Sequence, residues 1–257
     1  MKLKDQTARR YMPRLPERED AALKSIEAWF NLHPSAWVTF SGGKDSGACV
    51  DLARRVFPEV PVVFYDSGLE FPQNLEYIHR VANDWALNLH VIHAKPGALE
   101  ILRESGQLEA GVPKVQKDEL REATITRPIA EAVARFGKRS IYGLRAEESF
   151  QRYVLLASRK GVVARHEKDG TLGDEALAPI WQWDGHEVRA YFARRGIEMN
   201  PLYAQQIALG VPERSARVGM LVDSDGINRG RWAVARQLAP DMARLVETHL
   251  PGLAQFR

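Results

Sequence analysis

Apolar and polar positions change period several times along the chain, and each change marks an element. Leu23, Ile26 and Phe30 recur at helical spacing and predict a helix over 21–32. Trp37, Val38, Thr39 and Phe40 form a short apolar run that reads as a strand. After Ser41-Gly42-Gly43-Lys44-Asp45-Ser46 the period returns to helical, with Cys49, Leu52, Ala53, Val56 and Phe57 on one stripe until Pro58 ends it. Pro61 to Tyr65 and Leu89 to Ile92 are continuous apolar runs, as expected of strands buried on both faces. Between them Pro72 opens a helix that carries Leu75, Ile78, Val81, Ala82 and Trp85. The order βαβαβ predicts right-handed crossovers and an α/β fold, a parallel sheet flanked by helices.

The second half is less regular. Residues 94–122 are polar with scattered glycines and read as loop with short helical pieces. Ile125, Ile129, Ala132, Val133 and Phe136 make another helical stripe, followed by a strand at 140–144. Residues 145–160 read as a helix with Phe150, Val154 and Ala157 inward. Lys168-Asp169-Gly170-Thr171 lies between two β-prone runs and predicts a hairpin or a flexible excursion. Asp184 and Glu187 form a capping box for the next helix, and 231–250 is helical with a break at Pro240. The expected organisation is an N-terminal arm at 1–20, an α/β domain at 21–160, and a smaller helical C-terminal extension at 161–257 that completes it.

With 257 residues, 45% of them hydrophobic and 27% charged, the chain can bury a full core. It has no apolar stretch near the ~20 residues of a membrane span and no apolar run at its N-terminus, so a cytoplasmic location is expected. The net charge of +3 leaves both a solvated surface and a polyanionic partner open. Cys49 is the single cysteine, which excludes a disulfide within the chain and a cysteine-ligated iron–sulfur or zinc site. It is expected to be a small core residue. The histidines are scattered, and His90 and His93 fall on opposite sides of a strand, so no protein-built metal site is expected.

Chemistry concentrates at 41–46. Gly42 and Gly43 let backbone amides converge on an oxyanion, the following helix adds the positive end of its dipole, and Lys44, Ser41 and Ser46 add a charge and two hydroxyls. The P-loop pattern fails, because Asp45 follows the lysine and the glycine the pattern needs ahead of Gly43-Lys44 is missing. A glycine turn without a ligand is the plain alternative. Two more strings sit at expected strand ends, Asp66-Ser67-Gly68-Leu69-Glu70-Phe71-Pro72 and Gly143-Leu144-Arg145-Ala146-Glu147-Glu148-Ser149 with Arg152. Alone, helix caps or surface pairs would explain them equally well.

Together the motifs resemble a known group. The loop matches the SGGxDS signature of the ATP pyrophosphatases (PP-loop) within the adenine nucleotide α-hydrolase superfamily, which have a Rossmann-like (HUP) fold. The full set resembles the phosphoadenosine-phosphosulfate (PAPS) reductase family, including Pro179-Ile180-Trp181-Gln182-Trp183 and Asn200-Pro201-Leu202-Tyr203, over about 29–222. The resemblance implies that Ser41, Gly42, Gly43, Lys44, Asp45 and Ser46 bind the phosphates or released pyrophosphate, with Asp66, Gly68 and Gly143 completing the nucleotide site. It implies catalytic roles for Lys44, Asp45, Arg145 and Arg152, ATP as the nucleotide, and Mg²⁺ with Asp45 as a ligand.

The chain also departs from its model group. Assimilatory reductases use a C-terminal cysteine, and many relatives read Arg-Val-Gly-Cys where this chain has Arg217-Val218-Gly219-Met220. A thioether cannot attack a sulfonyl group. True reductases commonly alter the Gly-Lys-Asp part of the loop, which is complete here. The expected function is therefore ATP cleavage between the α and β phosphates to activate an acceptor, as in ATP-hydrolysing components of the Dnd- and Ssp-type DNA phosphorothioation systems. That implies a protein partner that donates sulfur. A PAPS-binding protein that borrows a partner's thiol, or a non-catalytic nucleotide-binding subunit, stands as the alternative. Gly210 to Arg236, with Arg214, Arg217, Arg229, Arg231, Arg236 and Trp232, reads either as a nucleic-acid surface or as an ordinary C-terminal lobe. A homodimer is common in the family.

Overall fold

The computed structural model describes residues 10–105, 108–109, 112–113, 117–166, 172–219, 230–249 and 251–255. Its frame is a six-stranded sheet: β1 (Trp37–Thr39), β2 (Pro61–Asp66), β3 (Asn88–His93), β6 (Arg139–Ile141), β7 (Val162–His166) and β8 (Leu172–Leu177), in the order β3-β2-β1-β6-β8-β7. A separate antiparallel pair joins β4 (Leu108–Glu109) to β5 (Val112–Pro113). In the large sheet β1 runs parallel to β2 and β6, and β6 runs parallel to β8. The β7–β8 hairpin adds an antiparallel edge to a mostly parallel sheet. The fold is α/β and Rossmann-like.

Central position explains the burial of β1, whose three residues are all buried. β2 is buried at Val62, Val63 and Phe64. β3 departs from expectation. It is an edge strand, and within it only Ile92 is buried.

The helices are α1 (Leu15–Leu32), α2 (Lys44–Val56), α3 (Pro72–Asp84), α4 (Ala98–Ser105), α5 (Lys117–Arg121), α6 (Arg127–Phe136), α7 (Phe150–Ser158), α8 (Gly185–Arg195), α9 (Pro201–Ala208), α10 (Arg231–Leu238) and α11 (Pro240–His249). The expected arm is shorter than 20 residues, because α1 starts at Leu15 and that side chain is fully buried. Residues 1–9 lie outside the described residues, as do 167–171, where a hairpin or a flexible excursion is expected, although the pairing of β7 with β8 is described. Among the described residues no helix is long and apolar enough to cross a membrane.

The inward face expected for α7 is corrected. Phe150 is 79% and Val154 51% exposed, while Leu156 is fully buried and holds the helix down. Over nine residues the apolar positions fit more than one stripe, and the buried one is Leu156. Ile125 is likewise exposed, in a π-helical turn ahead of α6.

The chain divides into two compact units that interleave along the sequence, one of residues 1–64, 80–90 and 132–200, the other of 65–79, 91–131 and 201–257.

Candidate functional site

In the first unit β1 leads through Ser41, Gly42 and Gly43 into α2. Gly42 has φ +74°, in the left-handed region that excludes most side chains. Gly43 has φ −77° and ψ 157°, extended backbone that any residue adopts, so only the first glycine is required by its angles. Gly43 is the N-cap and no side chain caps the helix, so the amides of the first turn face the loop. The serines fold the loop onto itself. Ser41 N donates to Ser46 Oγ (3.1 Å), the two hydroxyls lie 3.0 Å apart, and Ser46 Oγ donates to Gly43 O (3.1 Å). Buried Asn200 donates from Nδ2 to Gly42 O at 3.2 Å and fixes the turn from behind.

Charge gathers on Asp45. Lys44 Nζ lies 2.6 Å from Oδ2, and Arg145 Nε lies 2.8 Å from Oδ1. Arg145 is 5% exposed and also pairs with Glu147, whose Oε2 accepts the Gly185 N–H at 2.8 Å. Burial pulls the Lys44 pKa down and the charges of Arg145 and Arg189 pull with it, while Asp45 opposes them. Gly143 is a glycine for want of space: a Cβ there would stand 2.6 Å from both Asp45 C and Ser46 N. The strand end carrying Arg145 is thereby pressed against the loop. A turn of convergent amides backed by buried cations matches the chemistry of a polyphosphate.

The sequence profile of the phosphoadenosine phosphosulfate reductase domain matches residues 35–219. The chain belongs to this family. The phosphoadenosine 5′-phosphosulfate reductase of Serratia proteamaculans is 28% identical over 193 residues, which are 74% of this chain and 71% of the relative. The fold is similar to that of the Candida auris phosphoadenylyl-sulfate reductase in its phosphate complex, at 18% identity and TM-score 0.55 over 82% of this chain and 95% of that one. It is also similar to the NH3-dependent NAD synthetase of Campylobacter jejuni, at 14% identity and TM-score 0.50 over 93% and 94%.

For this PAPS reductase family chain, the structure thus brings Ser41, Gly42, Gly43, Lys44, Asp45, Ser46, Gly143 and Arg145 together in one unit. Arg152 pairs with Glu148 across the start of α7 and is 44% exposed. Asp66 and Gly68 belong to the second unit, where Asp66 accepts the Gly68 N–H (2.8 Å) and lies 3.1 Å from His93 Nδ1. Gly68 has φ +77° and approaches Gly97 closely, a Cβ there standing 3.5 Å from its Cα. Nearby Glu70 accepts from Ser67 Oγ at 2.8 Å, and burial raises its pKa to about 7, with the Asp66 charge adding to the shift.

Among the described residues no group of three or more His, Cys, Asp or Glu forms a metal site. Asp45 is the carboxylate of the loop, and each of its oxygens faces a cation, Oδ2 the Lys44 ammonium and Oδ1 the Arg145 guanidinium. Cys49 is fully buried, its Sγ 3.7 Å from Tyr142 O, and burial pushes its thiol pKa well up. Trp232 corrects the idea of a nucleic-acid stacking residue. It is 1% exposed and donates from Nε1 to Glu247 (3.1 Å), a core role in the C-terminal lobe. Met220 and Arg229 lie outside the described residues. A cavity of about 520 Å³ in the second unit is lined by Phe71, Gln206, Val211, Arg217 and Val234 among others. Motif reading missed Arg189, a buried arginine in no quoted motif whose charge acts on Lys44, and gave Glu147, inside the 143–149 string, no part of its own.

Proposed function

We propose that the chain is an ATP pyrophosphatase of the PAPS reductase family. An acceptor oxygen attacks the α phosphorus of ATP, the bond from that phosphorus to the bridging oxygen breaks, and pyrophosphate leaves into the loop. The acceptor loses its proton and keeps an adenylyl group, or AMP forms when the acceptor is water. The observation that carries this reading is the buried Lys44–Asp45–Arg145 cluster behind a complete loop. Lys44, Arg145 and the first-turn amides of α2 neutralise the leaving pyrophosphate, and catalysis of this kind consists mainly of positioning and charge stabilisation. Mg²⁺, bound with Asp45 and phosphate oxygens, would supply further neutralisation of the triphosphate.

A buried thiol with a raised pKa is no nucleophile, and Cys49 is the only cysteine in the sequence. This favours ATP activation over self-sufficient sulfonyl reduction. An adenylylated oxygen is a leaving group for sulfur or nitrogen, so a separate sulfur donor and a DNA phosphorothioation pathway suit the reading.

The test is incubation with Mg²⁺ and α-³²P-labelled ATP, with Lys44→Ala as control. AMP that forms with wild type and falls at least ~100-fold in the variant supports α–β cleavage; ADP as sole product overturns it. The names of the relatives favour one second reading, a PAPS-binding protein that takes its thiol from a partner. Tighter binding of PAPS than of ATP in direct competition would select it.

A further inference from the structure

Helix α7 carries an apolar stripe that it turns toward solvent. Phe150, Tyr153, Val154 and Ala157 stand at i, i+3, i+4 and i+7, the spacing of one helical face. The first three are 79%, 54% and 51% exposed, and Leu155 beside them is 46% exposed. Leu156, the buried residue of the helix, lies roughly 120° round from Phe150 and 160° round from Val154. Single exposed apolar side chains are ordinary, but a contiguous patch of them on one helix marks a contact surface. With two aromatic rings in it, this patch amounts to on the order of 400 Å².

The first unit's own chain offers little to cover it. Residues 1–9 and 167–171, the parts of that unit outside the described residues, bring Met1 and Leu3 as their only large apolar side chains. The ends of the helix indicate another occupant. Glu147 and Glu148 precede α7, Arg159 and Lys160 follow it, and all four are exposed. Glu147 meets Arg145 and Gly185 through Oε2, which leaves Oε1 of a half-exposed side chain to a further cation. An antiparallel copy of the same helix lays its basic end on this acidic end and its acidic end on the basic one, and the two helix dipoles oppose. A parallel copy would set like charges together. The sequence that makes the face thus also makes its complement.

We propose that the exposed face of α7 is a self-association surface, on which a second copy of this chain packs its own α7 antiparallel. The two-fold axis passes near Tyr153 and Val154, midway between Glu148 and Arg159. Two such faces together fall below the ~1,200 Å² of a standard interface, so the dimer is weak, with a Kd on the order of 10 μM. The inference stands independently of the nucleotide reading.

The test is sedimentation equilibrium of the full chain between about 1 and 200 μM, a range that brackets the expected Kd. Wild type should pass from monomer to dimer across it. Phe150→Ser should raise the Kd at least ~10-fold, and Arg159→Glu at least ~3-fold. Cys49 is fully buried, so a cysteine added on α7 is the reactive one. Val154→Cys, near the axis, should cross-link to its mate under diamide oxidation, whereas Ser158→Cys, roughly 13 Å from its mate along the helix, should not. A monomer at every concentration overturns the proposal and assigns the face to a different partner. A dimer unmoved by Phe150→Ser, or equal cross-linking of the two cysteine variants, overturns the antiparallel α7 contact. A circular dichroism spectrum like that of wild type shows that a variant folds, and Val154→Ser takes the place of Phe150→Ser should the latter not fold.

Discussion

A methyl group on Gly143 would meet the loop backbone at Asp45 and Ser46, and backbone cannot rotate aside as a side chain can. Gly143→Ala should therefore shift the loop and lower AMP formation from ATP by at least ~10-fold, while thermal unfolding moves by no more than ~3 kcal/mol of destabilisation. Unchanged turnover would mean that the loop yields at no cost and that Gly143 only packs. At this scale the sequence was informative where chemistry is contiguous. The loop from Ser41 to Ser46 declares itself because one short string supplies amides, a lysine and an acid. Its two serines, expected as phosphate donors, also hydrogen-bond within the loop. Arg189 was illegible, since nothing near it in the sequence tells that the fold buries it where its charge acts on Lys44.

Among the elements, α7 separates what periodicity can decide from what it cannot. The capping box before α8 was readable from Asp184 and Glu187 because both partners lie within one turn. The inward face of α7 was not, because nine residues give too few repeats to choose between stripes. Leu156→Ala should cost about 2–5 kcal/mol in denaturant unfolding, whereas Phe150→Ser should change stability by less than about 0.5 kcal/mol. A large loss at Phe150 would restore the stripe first expected. β3 was misread for a related reason: an apolar run announces a strand but not whether a neighbour covers it, and sheet order puts β3 at an edge.

Across the whole molecule, a buried carboxylate, Asp51, and a half-buried one, Glu70, respond to pH in opposite directions. Burial alone would raise the pKa of Asp51, but hydrogen bonds from Arg195, Tyr191 and Arg54 hold it below the usual value. Its contribution is present above the unfolded pKa of about 4 and is lost as pH falls through the lower folded value. Glu70, raised to about 7, behaves in the other sense. As pH climbs from about 4.5 to 7 the unfolded chain releases this proton while the folded one keeps it, so folding loses on the order of 3 kcal/mol. Glu70→Gln should match wild-type melting near pH 5 and melt several degrees higher near pH 8; parallel profiles would deny the shift. Neither effect could be read from Asp51 or Glu70 as letters, because both arise from burial and from partners brought in by the fold.

The place of β1 in the sheet has a consequence for how the chain is made. Val38 pairs with Val62 on one side and with Ile141 on the other, so half of the strand's hydrogen bonding waits for a segment synthesised roughly 100 residues later. At ordinary ribosomal speeds that leaves an apolar strand with one open edge for roughly 5–20 s. During that interval the nascent protein presents a template to which other chains can add, and holding chaperones would act on it then.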